Sequence, residues 1–184
     1  MSTIEGSGRT REPGEIFRKP LKDSESLNDS GYVLTGVEET STQKVKKCTT
    51  SDFPLCINYR SSRDPFDLAH PPTTFLAGSS TRLPTIDLVD DGEFALKVDG
   101  DNAAIAVGDP LFVKTTAGKV DKYVPTTIDN TSAATVASTA TTRFIELGKI
   151  VGYAVEKIAA GAAGEPGADK VRTRLTIKQC PTIA

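Results

Sequence analysis

Apolar and polar residues alternate most regularly near the end of the chain. Val171, Thr173, Leu175 and Ile177 are interleaved with Arg172, Arg174, Thr176 and Lys178. That is the period of a strand with one buried and one wet face. The same period predicts a strand over 94–98, with Phe94, Leu96 and Val98 on one face. A short apolar run, Ile86 to Val89, precedes it across the turn signal Asp90-Asp91-Gly92. A second turn, Asp99-Gly100-Asp101-Asn102, follows. Ile105 to Val107 then leads into Gly108-Asp109-Pro110. Leu111 to Lys114 and Lys119 to Val124 form a hairpin around Thr115-Thr116-Ala117-Gly118.

Elsewhere the pattern is weaker. Leu147, Ile150, Val151, Ala154, Val155 and Ile158 fall at helical spacing, so an amphipathic helix is one reading of 144–158. Gly148 and Gly152, each costing about 1 kcal/mol inside a helix, favour strand–bend–strand instead. The β-branched Ile150, Val151 and Val155 lean the same way. Residues 125–142 are rich in Thr, Ala and Ser and lack large apolar groups, which predicts a surface loop or a weak edge strand. Phe53, Leu55, Ile57 and Tyr59 alternate with Pro54, Cys56 and Asn58, which suits one short strand. Six of the eleven prolines lie between 54 and 110 and disfavour long helices there.

Residues 1–47 are polar and punctuated by Gly and Pro, with few apolar residues and one short strand expected at 32–37. Alone, such a segment cannot bury enough apolar surface to offset its ordering entropy. It is therefore expected to be an extended polar arm, disordered or laid over a neighbouring subunit. Residues 48–184 are expected to form a β domain, with core strands at about 86–178 and the Thr/Ala-rich loop at 125–142.

Composition narrows the function classes. Hydrophobic residues make up 38% of the 184 residues, enough for a core but not along the whole length. A net charge of -2 gives no global electrostatic case for nucleic acid. The basic residues Lys170, Arg172, Arg174 and Lys178 alternate with apolar ones, as on a solvated strand face. No stretch approaches the roughly 20 apolar residues of a membrane span, and the start lacks a signal-peptide pattern. The chain is expected to work inside a cell, or to leave it within an assembly.

The search for chemistry returns little. His70 is the only histidine and sits in a Pro-rich loop without visible acid or base partners. There is no GxSxG, no HExxH and no Walker-type loop; Gly6-Ser7-Gly8 is too short and has no strand before it. Cys48, Cys56 and Cys180 do not make a zinc knuckle; buried or inert thiols are expected, with a Cys48–Cys56 disulfide as the alternative. Two acidic clusters, Asp87/Asp90/Asp91/Glu93 and Asp99/Asp101/Asn102, lack the full spacing of a calcium loop. Both are expected to be turns, where Asp and Asn bond their local backbone. No catalytic residue, cofactor or metal is therefore predicted, and the chain is not expected to be an enzyme.

Four runs then occur in a telling order: Gly108-Asp109-Pro110-Leu111-Phe112-Val113, Gly118-Lys119-Val120, Gly148-Lys149-Ile150-Val151-Gly152-Tyr153-Ala154, and Val171-Arg172-Thr173-Arg174-Leu175. Together they resemble the capsid decoration, or cement, proteins of tailed viruses with an HK97-type shell, over roughly residues 86–178. The resemblance implies a compact β-barrel of β-tulip or β-clip type, a homotrimer, and a place on the outer capsid surface. It implies a structural virion protein, made in the host cytoplasm, that stabilises contacts between major capsid protein subunits. Neither nucleic acid nor a membrane is an expected partner. A virion-surface module binding host glycan and an enzyme on a β-clip fold are the alternatives. Candidate interface residues are Ile16, Phe17, Tyr32 and Leu34 in the arm, then Phe53, Tyr59 and Arg60, since aromatic and Arg side chains dominate interface energetics.

Overall fold

Short β-branched and aromatic runs separated by Asp-Gly turns leave little room for helices, and the chain folds as mainly β. The computed structural model describes residues 17–22, 25, 27, 29–39, 42–59 and 85–177. The elements are β1 (Phe17–Pro20), β2 (Val33–Glu39), β3 (Thr42–Lys47), β4 (Cys56–Asn58) and β5 (Thr85–Val89). There follow β6 (Glu93–Lys97), β7 (Pro110–Val113), β8 (Val120–Lys122), α1 (Ala133–Leu147), β9 (Gly152–Ala154) and β10 (Lys170–Leu175). They build two antiparallel five-stranded sheets, in the orders β1-β5-β4-β2-β3 and β6-β10-β9-β7-β8.

Each sheet curls until its two edges meet at a single parallel bridge. Leu21, just past β1, reaches Val45 of β3, and the Lys22 N–H donates to the Val45 carbonyl at 2.8 Å. Val98, just past β6, reaches Val120 of β8, and the Asp99 N–H donates to the Val120 carbonyl at 2.9 Å. These bonds occupy edge groups that would otherwise be open to another strand.

Two hydrophobic clusters follow from the registers. Val33 lies opposite Ile57, and Ile57 opposite Val89, so all three point to one side of the first sheet. There they join Phe94, Leu96, Leu111, Val120, Val151, Val171 and Leu175 in the larger core. Leu34 opposite Cys56 points to the other side, where Leu21, Leu27, Val45, Ile86 and Leu88 complete a second core. Tyr59 and Phe94 meet edge to face, with ring centroids 6.1 Å apart, where the first sheet leads into the second.

The strand period at 94–98, that at 171–175, the hairpin and the turns follow the pattern read from the sequence, and β10 stops at Leu175, short of Ile177. Val171, Thr173 and Leu175 are buried, while Arg172 and Arg174 are exposed. Three expectations need correction. First, of the arm expected over 1–47, the described residues from 17 onward supply β1, β2 and β3 and the buried Leu21, Leu27, Tyr32, Leu34 and Val45. Their sparse apolar residues gain a core because β4 and β5, from later in the chain, pair with them. Residues 1–16 lie outside the described ones.

Second, the Thr/Ala-rich stretch expected as loop or edge strand contains most of α1. Ser132 caps the helix, its hydroxyl accepting from the Thr135 N–H and the Thr135 hydroxyl bonding back to the Ser132 N–H. Alanines at 133, 134, 137 and 140 have the highest helix propensity. Thr139, Thr141 and Thr142 satisfy their hydroxyls on the carbonyls of Thr135, Ala137 and Ser138, so they do not compete with the helix. Third, 144–158 divides: 144–147 close α1, and β9 with the Ile158–Ile105 bridge takes the remainder in the strand–bend–strand form. Among the described residues no helix is long and apolar enough to cross a membrane.

Candidate functional site

The four sequence runs singled out above come together in the second sheet. Gly108 and Asp109 meet Ala154 through two backbone bonds: the Gly108 N–H donates to the Ala154 carbonyl at 2.8 Å, and the Ala154 N–H to the Asp109 carbonyl at 2.9 Å. Leu111 lies opposite Gly152, which itself lies opposite Leu175. A Cβ on Gly152 would stand 2.2 Å from the Arg174 carbonyl oxygen, so only glycine fits between β7 and β10 there. The Asp109 carboxylate accepts from the Ala106 N–H at 2.8 Å and pairs with Lys122 at 2.8 Å, and these contacts hold it below the ordinary carboxylate range, Lys122 contributing most. Residues as far apart as 108 and 175 are thus joined in one hydrogen-bonded sheet.

Buried polar side chains serve this scaffold. The Asp99 carboxylate accepts from the Thr115 N–H at 2.9 Å and the Thr116 N–H at 3.0 Å, fixing the β7–β8 loop. Asn102 accepts from the Gly167 N–H at 2.8 Å and donates to the Ala159 carbonyl at 3.1 Å, and Asp101 accepts from the Gly164 N–H at 2.8 Å; together they hold the Gly/Ala-rich spacer. Asp121 accepts from the Ala103 N–H at 3.0 Å and pairs with Lys114 at 2.8 Å. The local turn role expected of the two acidic clusters is seen at Asp91 and Asp99, which accept from the Gly92 and Gly100 N–H groups, whereas Asp101 and Asn102 bond a segment distant in sequence. Among the described residues, no buried side-chain polar atom lacks a partner and no three acidic, His or Cys side chains converge as metal ligands.

Cys48 and Cys56 are buried and free, so they do not form the alternative disulfide. Burial pushes both thiols up to about 12, where the reactive thiolate is scarce at neutral pH. Cys180 and His70 lie outside the described residues.

The predicted interface residues separate. Tyr32, Leu34 and Tyr59 are buried inside this chain's own fold. Phe17 opens β1 opposite Leu88. Ile16 and Arg60 lie outside the described residues. Phe53 is 38% exposed and lies at the end of an apolar surface that sequence reasoning missed among the described residues, the outer side of α1.

α1 buries none of its residues. Thr135, Thr139 and Glu146, all half-buried, share the side turned to the fold. Glu146 anchors that side, accepting from the Tyr123 hydroxyl at 3.0 Å and from the Thr126 N–H at 3.2 Å. The Thr126 hydroxyl is the main cause that holds the Glu146 carboxyl below its usual range. At the C-terminal end, the Lys149 ammonium donates to the Thr50 carbonyl at 2.7 Å and lies over the Phe53 ring, which abuts Gly148. The opposite side carries Ala133, Val136, Ala137, Ala140, Phe144 and Leu147, all exposed, Phe144 at 72% and Leu147 at 51%. The signal was present as Ser132 before an alanine run, with no Gly or Pro from 126 to 147.

No family model matches the chain, and no curated protein matches it.

Proposed function

We propose that this chain is a structural protein of a virus particle, bound to the outer face of an HK97-type capsid, where it stabilises contacts between major capsid protein subunits. The observation that carries this reading is the convergence of the four resembling runs in adjacent strands, β10, β9, β7 and β8. A resemblance assembled from weak, separated pieces gains weight when the pieces share one sheet and bond to one another, as Gly108 and Asp109 do with Ala154.

The curled sheets, each with its edges joined at one bridge, support extending the fold reading to a small barrel of β-tulip or β-clip type. The buried polar groups support a scaffold role, because Asp99, Asn102 and Asp121 are engaged by backbone groups and Lys114 rather than aimed into a cleft. A capsid clamp needs rigidity and surface, and many copies of a weak junction sum to a strong effect.

The test is sedimentation with empty HK97-type shells of the virus that encodes the chain, in expanded and unexpanded forms. Expanded shells carry the protein down saturably and unexpanded shells leave it in solution. Protein that stays in solution with expanded shells overturns the proposal.

A further inference from the structure

We infer that α1 is an order–disorder element: it opens as one unit while both sheets stay folded, and Glu146 is the latch that keeps it closed. The base of the element is narrow. The last backbone bond before it runs from the Tyr123 N–H to the Pro110 carbonyl, at 2.8 Å. The next after it runs from the Val151 N–H to the Leu111 carbonyl, at 2.9 Å. Residues 124–150 thus leave and rejoin the second sheet at adjacent positions of β7. Among the described residues, no backbone–backbone bond joins 124–150 to either sheet, so opening this excursion breaks no strand pairing.

Little else resists opening. No residue of α1 is buried, so its loss uncovers little apolar area. Its polar groups are satisfied locally. Ser132 and Thr135 cap each other, and the hydroxyls of Thr139, Thr141 and Thr142 bond carbonyls of α1 itself. The Asp129 N–H donates to the Thr139 hydroxyl at 3.2 Å, so the preceding loop is tied to the helix and not to the sheets. Water replaces each of these partners when α1 opens, and no polar group is left buried and unpaired.

The latch supplies the missing hold. Glu146 accepts from the Tyr123 hydroxyl at 3.0 Å, which ties the last turn of α1 to the end of β8. It also accepts from the Thr126 hydroxyl, and from the Thr126 N–H at 3.2 Å, which closes the neck of the excursion. Just past the helix, Lys149 clips the chain to the Thr50 carbonyl at 2.7 Å, so the opening unit ends there. With Glu146 released, α1 is a helix of 15 residues without packing, a length that is marginal in water. It then melts as a whole.

Hydrogen exchange of the full chain, followed by nuclear magnetic resonance, tests this. The amides of 136–147 should share one opening equilibrium, about 100-fold or more above that of Val151 and Leu175 in the second sheet. Glu146→Ala should raise the opening of α1 about ten-fold and leave Val151 and Leu175 unchanged. Alanine is the better helix former, so that rise reports the lost latch and not lost propensity. Thr126→Val should act in the same direction, and Glu146→Gln, which keeps an acceptor oxygen, should fall between Glu146→Ala and wild type. Thr141→Ala, whose hydroxyl bonds only within α1, should not raise opening. Exchange of α1 only together with Val151 and Leu175 overturns the inference. Protection graded inward from the helix ends, as in fraying, overturns it too, as does an α1 that opens no more in Glu146→Ala and Thr126→Val than in wild type.

Discussion

The Lys97 ammonium lies 2.7 Å from the Asp29 carboxylate. The contact ties the segment before β2 to β6, across the boundary between the two sheets. Lys97 also pairs with Asp169 at 2.7 Å, and Lys170 reaches Asp29 at 2.9 Å, so four charges alternate in sign. Burial pushes the Asp29 carboxyl up, but Lys97, Lys170 and the Ser30 N–H outweigh it and hold it below its ordinary value. Asp29→Asn leaves two ammoniums with one carboxylate. It lowers the urea midpoint by the equivalent of about 1 kcal/mol, tempered by solvent screening, and by less in high salt. A salt-independent loss of the same size would count against an electrostatic tie.

Acid stability follows from the same kind of shift at Asp99. Burial raises its carboxyl, yet the Thr116 hydroxyl and the N–H groups of Thr116, Thr115 and Gly100 bring it below its usual value of 3.8. A carboxyl depressed in the folded state binds its proton more readily when unfolded. Its contribution is thus complete above the unfolded value, about pH 4, and is lost as pH falls through the lower folded value. Urea midpoints between neutral pH and acid should fall for wild type. For Asp99→Asn they should start lower and change less across that window; parallel pH curves would refute the assignment.

Gly31 tests the junction between the sheets by shape. Its φ is +90°, its N–H donates to the Asn58 carbonyl at 3.1 Å and its carbonyl accepts from the Lys97 N–H at 2.9 Å. A Cβ there would stand 2.3 Å from the Ala95 carbonyl oxygen. Gly108 has a similar φ of +87° but open space around its Cβ position. Gly108→Ala should cost about 1 kcal/mol, from backbone strain alone, and Gly31→Ala about 3 kcal/mol. Equal losses by thermal unfolding would remove the steric argument.

Leu175 is buried in β10 and points into the larger core with Leu96, Leu111 and Val171. Placing a carboxylate there sets an unpaired charge among apolar groups, a cost of several kcal/mol against a total stability of about 5–15 kcal/mol. Leu175→Asp should yield insoluble or unfolded protein. Normal soluble expression with native near-ultraviolet dichroism would show that the strand is not part of the core.

Local chemistry explains which elements were legible. The β7–β8 hairpin, the Asp-Gly turns and the alternation in β6 and β10 depend on neighbours in sequence, and the structure reproduces them. Two of the differences between sequence pattern and structure have separate causes. The absence of large apolar groups from 125–142 predicts a loop or a weak edge strand, whereas the Ser132 cap and the threonine hydroxyls bonded back to helical carbonyls make most of α1 there. The polar pattern of residues 1–47 predicts an arm because their few apolar residues cannot form a core alone.

Among the site residues, Phe53 proved surface-exposed, whereas Tyr32, Leu34 and Tyr59 went to the interior. An aromatic in a polar stretch looks the same in sequence whether it is an anchor or a core residue. Partners far along the chain decide between the two.

The sequence by itself determined the β character, the periods of β6 and β10 and the turn chemistry, because each depends on residues within a few positions of one another. Only the tertiary structure decided that β1, β2 and β3 join a sheet and that the apolar side of α1 faces outward. Burial there depends on β4, β5 and the 123–126 segment, pairings between residues distant in sequence that no local period encodes.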